Sequence, residues 1–188
     1  MKKVIAAMNM TLDGFCDHTA GIPDEAIHRH YAQLLDDAGV ALYGRITYQL
    51  MEYWRPIVKH PTGDPFTDEF AVAIDRIPKI VFSRTLKSVD WETASLADRE
   101  PEAVVSALKQ SGNGDGRDIL VCSPGLIVAL TQLHLIDEYQ ICIHPVVAGS
   151  GLPLFKNIHE KIMLRLLKTK TFDFGGVILY YEPVATRG

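Results

Sequence analysis

The stretch that decides the fold is Tyr139-Gln140-Ile141-Cys142-Ile143-His144-Pro145-Val146-Val147. Tyr139, Ile141 and Ile143 alternate with Gln140, Cys142 and His144, the period-two pattern of a strand, so 139–147 is predicted to be extended. His144 then faces away from the tyrosine and the two isoleucines, toward a pocket, an interface or a satisfied core position. Two further strand-like runs follow, at 162–172 and 177–184, with no long helix between them. Asp173-Phe174-Gly175-Gly176 joins these two as a hairpin-like turn. The C-terminal third is thus read as antiparallel.

Upstream, strand-like runs alternate with helical patterns, the mark of an α/β domain with parallel strands. Residues 4–10 open with a strand, and an irregular segment runs from Leu12 to Gly21 and Pro23. Ile27, Tyr31, Leu34, Leu35 and Ala38 then recur at helical spacing, with Asp24 and Glu25 in the first turn and Gly39 as the expected stop. A strand over 40–43 leads through Gly44 into a helix carrying Leu50, Met51 and Trp54. Residues 55–65, with three prolines and a glycine, are predicted to be a loop, followed by a helix through Phe66, Phe70, Ile74 and Ile77. Further strands are expected at 79–82 and 119–121. Pro101 and Ser123-Pro124 mark helix starts, and the Gly-rich run 111–116 ends the first of those helices. The sheet should be mixed, parallel strands first and an antiparallel hairpin last.

Composition bounds the function. The chain has 188 residues, enough for a single domain over 1–188 with a continuous core. Lys and Arg number 19 against 23 Asp and Glu, a net charge of −4 with no basic block, which argues against nucleic acid as a partner. Asn9, Thr11 and Asp13 interrupt the apolar N-terminus before it could cross a bilayer, so no membrane partner is expected. Cys16, Cys122 and Cys142 lack zinc or redox spacing and suit reduced thiols in a cytoplasm; a lone cysteine nucleophile is the sharper alternative. His28 and His30, two apart on a helix, point to different faces, so no metal is expected there.

Three strand ends carry residues suited to an anion. Gly44-Arg45-Ile46-Thr47-Tyr48 combines a close backbone approach at Gly44, a hydroxyl on Thr47 and a forked cation on Arg45. By residue type alone, Gly44 serves equally well as a turn and Arg45 as a solvated charge. Ser83-Arg84-Thr85 follows the 79–82 strand and would share that edge of the sheet, so that Arg45 and Arg84 together could meet a phosphate dianion. Cys122-Ser123-Pro124-Gly125, leading into Leu126, is the third, although an ordinary N-cap explains Ser123. Gly149-Ser150-Gly151 fails the dinucleotide fingerprint and reads as a backbone turn beside a pocket. Asp13, Asp24 and Glu25 are the acid–base candidates, with helix capping the competing role for the latter two.

Taken in order, these pieces resemble the dihydrofolate reductase superfamily, in particular the branch containing the C-terminal reductase domain of the riboflavin-biosynthesis deaminase-reductase. The resemblance rests on Thr11-Leu12-Asp13-Gly14-Phe15, Leu42-Tyr43-Gly44-Arg45-Ile46-Thr47-Tyr48, Val81-Phe82-Ser83-Arg84-Thr85-Leu86 and Leu135-Ile136-Asp137-Glu138-Tyr139 followed by 144–155. It implies an eight-stranded mixed sheet flanked by helices, with NADPH across the carboxyl ends of the early strands. Gly44, Arg45 and Thr47 would meet the cofactor phosphates, Ser83, Arg84 and Thr85 the adenosine ribose, and Ser123, Gly125 and Leu126 the pyrophosphate and nicotinamide. Leu12, Asp13 and Gly14 match a flexible segment over nicotinamide and substrate, and the proton donor falls at Asp24 or Glu25. One departure is Cys122-Ser123 where the family usually has a glycine pair or Gly-Ser, joined in dihydrofolate reductase by a cis peptide. The implied reaction is hydride transfer to a small heterocyclic or ribosyl substrate such as a ribosylaminouracil phosphate, in a homodimer. The alternatives are dihydrofolate reduction and a non-catalytic nucleotide-binding module.

Overall fold

In the computed structural model, which describes residues 2–22, 24–111 and 116–184, the apolar run Val4–Thr11 forms the central strand β1. Its continuous apolar character follows from burial on both sheet faces: Val4 and Ala6 pack into one core and Ile5 and Ala7 into the other. Chain order continues α1 (Glu25–Asp37), β2 (Ala38–Gly44), α2 (Arg45–Met51), a 3₁₀ turn (Glu52–Trp54), α3 (Arg55–Lys59), α4 (Pro65–Arg76), β3 (Lys79–Phe82) and β4 (Ala94–Leu96). It closes with α5 (Pro101–Gln110), β5 (Asp118–Val121), α6 (Pro124–Gln132), β6 (Glu138–His144), β7 (Leu164–Thr171) and β8 (Val177–Pro183).

The eight strands form one sheet in the order β4-β3-β2-β5-β1-β6-β8-β7. Strands β1 to β6 pair in parallel, while β8 is antiparallel to both β6 and β7, as the C-terminal pattern predicts. Helices α1 and α4 cover one face through Ala32, Leu35, Ala73 and Ile74; α5 and α6 cover the other through Val105, Leu126, Ile127 and Leu130. This layering leaves one sheet edge, where β1, β2, β3, β5 and β6 all end, to be closed only by loops.

Several local expectations change. Gly39 does not stop α1: the helix ends at Asp37 because Ala38 turns extended and pairs with Asp118, and Gly39 sits at the bulge this creates. Within the predicted 55–65 loop, Arg55–Lys59 is helical, since Pro56 occupies the first turn where its missing N–H costs nothing. The three-residue strand β4 carries too short a pattern to be read. Side chains of β6 are mostly buried in the sheet, whereas every residue of β7 is exposed. Pro23 and 112–115 of the Gly-rich run lie outside the described residues, as do Met1 and 185–188.

Lys79 is 1% exposed, and its ammonium donates to the Asp75 and Ile77 carbonyls and to Thr93 Oγ1, with the Trp91 ring 4.2 Å away. Burial pulls it down to about 8, Asp75 opposing. It lies at the opposite end of β3 from Ser83 and belongs to the scaffold.

Candidate functional site

Two of the residues expected at the anion site, Gly44 and Ser123, meet at the strand ends. Gly44 closes β2, and its N–H donates to Ser123 Oγ after β5, 2.8 Å away. Ser123 is buried and makes no side-chain cap bond to α6. Its expected N-cap role is replaced by a bond that ties two strand ends. Gly125, in the first turn of α6, is exposed, and a Cβ there would meet nothing within 4 Å, so a ligand can approach that backbone. Among the described residues there is no cis peptide bond, including at Cys122-Ser123.

Arg55, Arg76, Arg99 and Arg165 each pair with a carboxylate. Arg45 instead bonds the neutral Gln49 amide at 3.1 Å, and exposed Arg84 has no partner among the described residues. Both guanidiniums lie just past the ends of the neighbouring strands β2 and β3. Ser83 Oγ accepts from the Thr85 and Leu86 N–H groups, shaping the turn from which Arg84 projects. Leu12, Ile22, Ile46 and Val147, in segments that follow strand ends or enter α1, are exposed apolar side chains.

The segment after β1, expected to be mobile, is stitched down. Asp13 accepts from Thr11 Oγ1 at 2.7 Å and from the Ala148 and Gly149 N–H groups at 3.1 and 2.7 Å. Those donors hold its carboxyl down at about 2, the Thr11 hydroxyl most strongly. A proton donor at neutral pH needs the reverse shift, so Asp13 is a clamp rather than an acid. Asp17 accepts from Leu152 N–H, and a Cβ on Gly151, at φ 145°, would collide with the Asp17 carboxylate. The Gly149-Ser150-Gly151 turn is therefore held on both sides of β6's exit. Asp24 caps α1, accepting from the Ala26 and Ile27 N–H groups, and Glu25 is exposed beside it. Neither is brought to the strand ends as a free acid.

Sequence reasoning missed Asn9, Tyr31 and the full role of His144. On the α1 face of β1, Ile5 and Ala7 are buried but Asn9 is exposed, so a cleft opens over the end of the central strand. His144, opposite Thr11 in the register, is 1% exposed and bonded to Ile22 N–H and Asn9 Oδ1. Tyr31 on α1 also bonds Asn9 Oδ1, at 3.1 Å. The signal available was Asn9 itself, a polar residue in an otherwise apolar buried strand. Burial pushes the Cys16 thiol up to about 11 and Cys122 and Cys142 to about 12, so none is a nucleophile at neutral pH.

Two concavities lie away from this edge, an open groove of about 500 Å³ between α1 and α4 and one of about 270 Å³ beside β4 and α5. Neither is lined by Gly44, Arg45, Arg84 or Ser123. Among the described residues no cluster of three or more His, Cys, Asp or Glu could hold a metal, and no helix is long and apolar enough to cross a membrane.

Sheet order and this loop-closed edge define an α/β domain of the dihydrofolate reductase type. Residues 2–178 match the RibD C-terminal domain, and the chain belongs to that family. It is 32% identical over 186 residues to the uncharacterized protein YyaP of Bacillus subtilis, covering 96% of this chain and 95% of that one. A putative riboflavin biosynthesis protein from Shewanella sp. PV-4 shares the fold at TM-score 0.71 and 17% identity, over 97% and 99% of the two chains. The diaminohydroxyphosphoribosylaminopyrimidine deaminase/5-amino-6-(5-phosphoribosylamino)uracil reductase of Thermotoga maritima shares it at TM-score 0.65 and 14% identity, over 97% of this chain and 57% of that one.

Proposed function

We propose that this protein is an NADPH-dependent reductase that transfers hydride to a small heterocyclic or ribosyl substrate of the 5-amino-6-(5-phosphoribosylamino)uracil kind. The observation that carries the reading is the pair Arg45 and Arg84, both without an acid partner at adjacent strand ends. A 2′-phosphate has two negative charges, and two forked cations answer them. Thr47 and Thr85 add hydroxyls nearby, while Ser83 shapes its turn and Ser123 holds Gly44 in place. The open backbone at Gly125, with Leu126 after it, suits the pyrophosphate.

The cofactor supplies the hydride; the protein positions both partners and keeps their reacting faces dry. Leu12, Ile22 and Ile46 offer the apolar contacts, and the Asp13 clamp keeps the covering loop closed over β1. With Asp13 held as an anion and Asp24 engaged in capping, the balancing proton comes from water in the cleft. Dihydrofolate reduction, which calls for a buried carboxylate on the pterin, is the less fitting chemistry here. Two copies are proposed to associate through β7, whose Leu164 and Leu166 are exposed beside Met163 and Val184.

Thermal shift with NADPH and NADH tests the reading. A ligand at 100 times its Kd adds about 2.7 kcal/mol of stability, so NADPH should raise Tm well above NADH at equal concentration. Arg45→Ala and Arg84→Ala should each erase most of that preference. Equal shifts with both cofactors would sink the phosphate assignment. NADPH binding without its oxidation by ribosylaminopyrimidines, pterins or small carbonyls would make the protein a binding module.

A further inference from the structure

The cleft over β1 contains a hydrogen-bond chain whose polarity is set by the backbone. Ile22 N–H can only donate, and it points at His144 Nδ1 from 3.0 Å. That nitrogen must therefore be unprotonated, which leaves the proton of a neutral imidazole on Nε2. Burial lowers the His144 pKa and favours this neutral form. Nε2–H donates to the Asn9 side chain at 3.2 Å, so the atom facing it must be the carbonyl oxygen Oδ1. Tyr31 Oη, 3.1 Å from the same oxygen, must donate as well. One backbone donor thus fixes a tautomer, a hydroxyl and an amide orientation in turn.

The consequence lies on the other side of Asn9. With Oδ1 occupied twice, the amide nitrogen Nδ2 faces away from His144 and Tyr31, and no described residue accepts from it. Asn9 is exposed although its strand is the centre of the sheet, so these two N–H groups are offered to the cleft. The neighbouring wall is aromatic: Phe174 lies 5.4 Å from the His144 ring and stacks on Phe172 at 5.5 Å.

We propose that Asn9 is a substrate-binding residue whose Nδ2 donates to a ring carbonyl or unprotonated ring nitrogen of a planar heterocycle, with His144 and Tyr31 as its positioning residues. This rests on the reductase reading and adds to it the feature of the substrate that is recognised: an acceptor edge, as in a uracil, in place of a donor edge. Turning the amide over would set Nδ2 against two other donors, so the site discriminates against a ligand presenting N–H at that position.

The test uses the whole protein saturated with NADP⁺, which cannot deliver hydride, and follows binding of 5-amino-6-(5-phosphoribosylamino)uracil by calorimetry. Asn9→Asp, nearly isosteric but without donors, should weaken binding at least tenfold while leaving the NADPH thermal shift unchanged. Tyr31→Phe and His144→Gln should each weaken binding in the parent chain and have no further effect on an Asn9→Ala background. Long-range ¹H–¹⁵N spectra should show the His144 proton on Nε2. The Nδ1–H tautomer would overturn the proposal whatever the ligand data. So would wild-type affinity in Asn9→Asp, no binding of the uracil by the parent chain, or additive losses in the double variants. Failure of NADPH to stabilise the parent chain would instead count against the reductase reading itself.

Discussion

At the scale of single residues, the site is held by bonds that sequence motifs do not announce. Ser123-Pro124 has the signature of a helix cap, yet the hydroxyl turns across the sheet to Gly44 N–H. Gly44 N–H, a donor at the end of β2, meets this buried oxygen in place of the α6 N–H groups. Ser123→Ala should cost about 1–3 kcal/mol in urea unfolding, the penalty for a donor left unsatisfied, and should weaken NADPH binding by loosening Gly44. A change below a few tenths of a kcal/mol would mean that the hydroxyl is only a cap. Asp13 was visible as a carboxylate beside a pocket; its low pKa was not, because the Thr11 hydroxyl that lowers it most turns toward it only in the folded loop, and the Ala148 and Gly149 N–H groups that add to the lowering come from the far end of the chain.

Whole elements were legible where period and caps agreed. Helix α1 begins at Glu25 behind the Asp24 cap and buries Ile27, Ala32 and Leu35, as its spacing demands. Its C-terminal end and β4 depended on pairing with distant strands and were read less well, and α3 was hidden in a proline-rich run. The same helix contains a pH-sensitive contact with the C-terminal hairpin. Burial, then Lys170 and Lys168, holds the His30 imidazole down at about 4, against 6.5 in the unfolded chain. Between those values the unfolded state binds the extra proton, so the His30 contribution is complete above pH 6.5 and is lost as pH falls toward 4. Its size is at most about 3 kcal/mol, reduced by the partial exposure of the ring. His30→Gln should flatten the urea midpoint between pH 7 and pH 5 relative to the parent; an unchanged slope would assign the acid sensitivity to other groups.

For the whole molecule, the exposed strand is the telling feature. All eight residues of β7 are exposed, an arrangement that leaves a sheet edge and an apolar stripe to water. Light scattering should give twice the 20.9 kDa chain mass, and Leu164→Lys with Leu166→Lys should return the monomer with its NADPH shift intact. A monomeric parent at micromolar concentration would dismiss the β7 interface. Hydrophobic periodicity by itself determined the α/β class, the parallel order of the early strands and the antiparallel end, because burial on one or two sheet faces writes itself into local spacing. Residue type at the strand–helix junctions marked Gly44, Arg45 and Arg84 after strands and Gly125 in the first turn of α6 as candidates. Only the tertiary structure decided that Asp13 is a clamp, that Ser123 serves Gly44, and that Ile22, His144 and Tyr31 orient Asn9. The physical reason is that a hydrogen bond depends on where a donor and an acceptor meet in space, and these partners meet only after the sheet has brought distant strand ends to one edge.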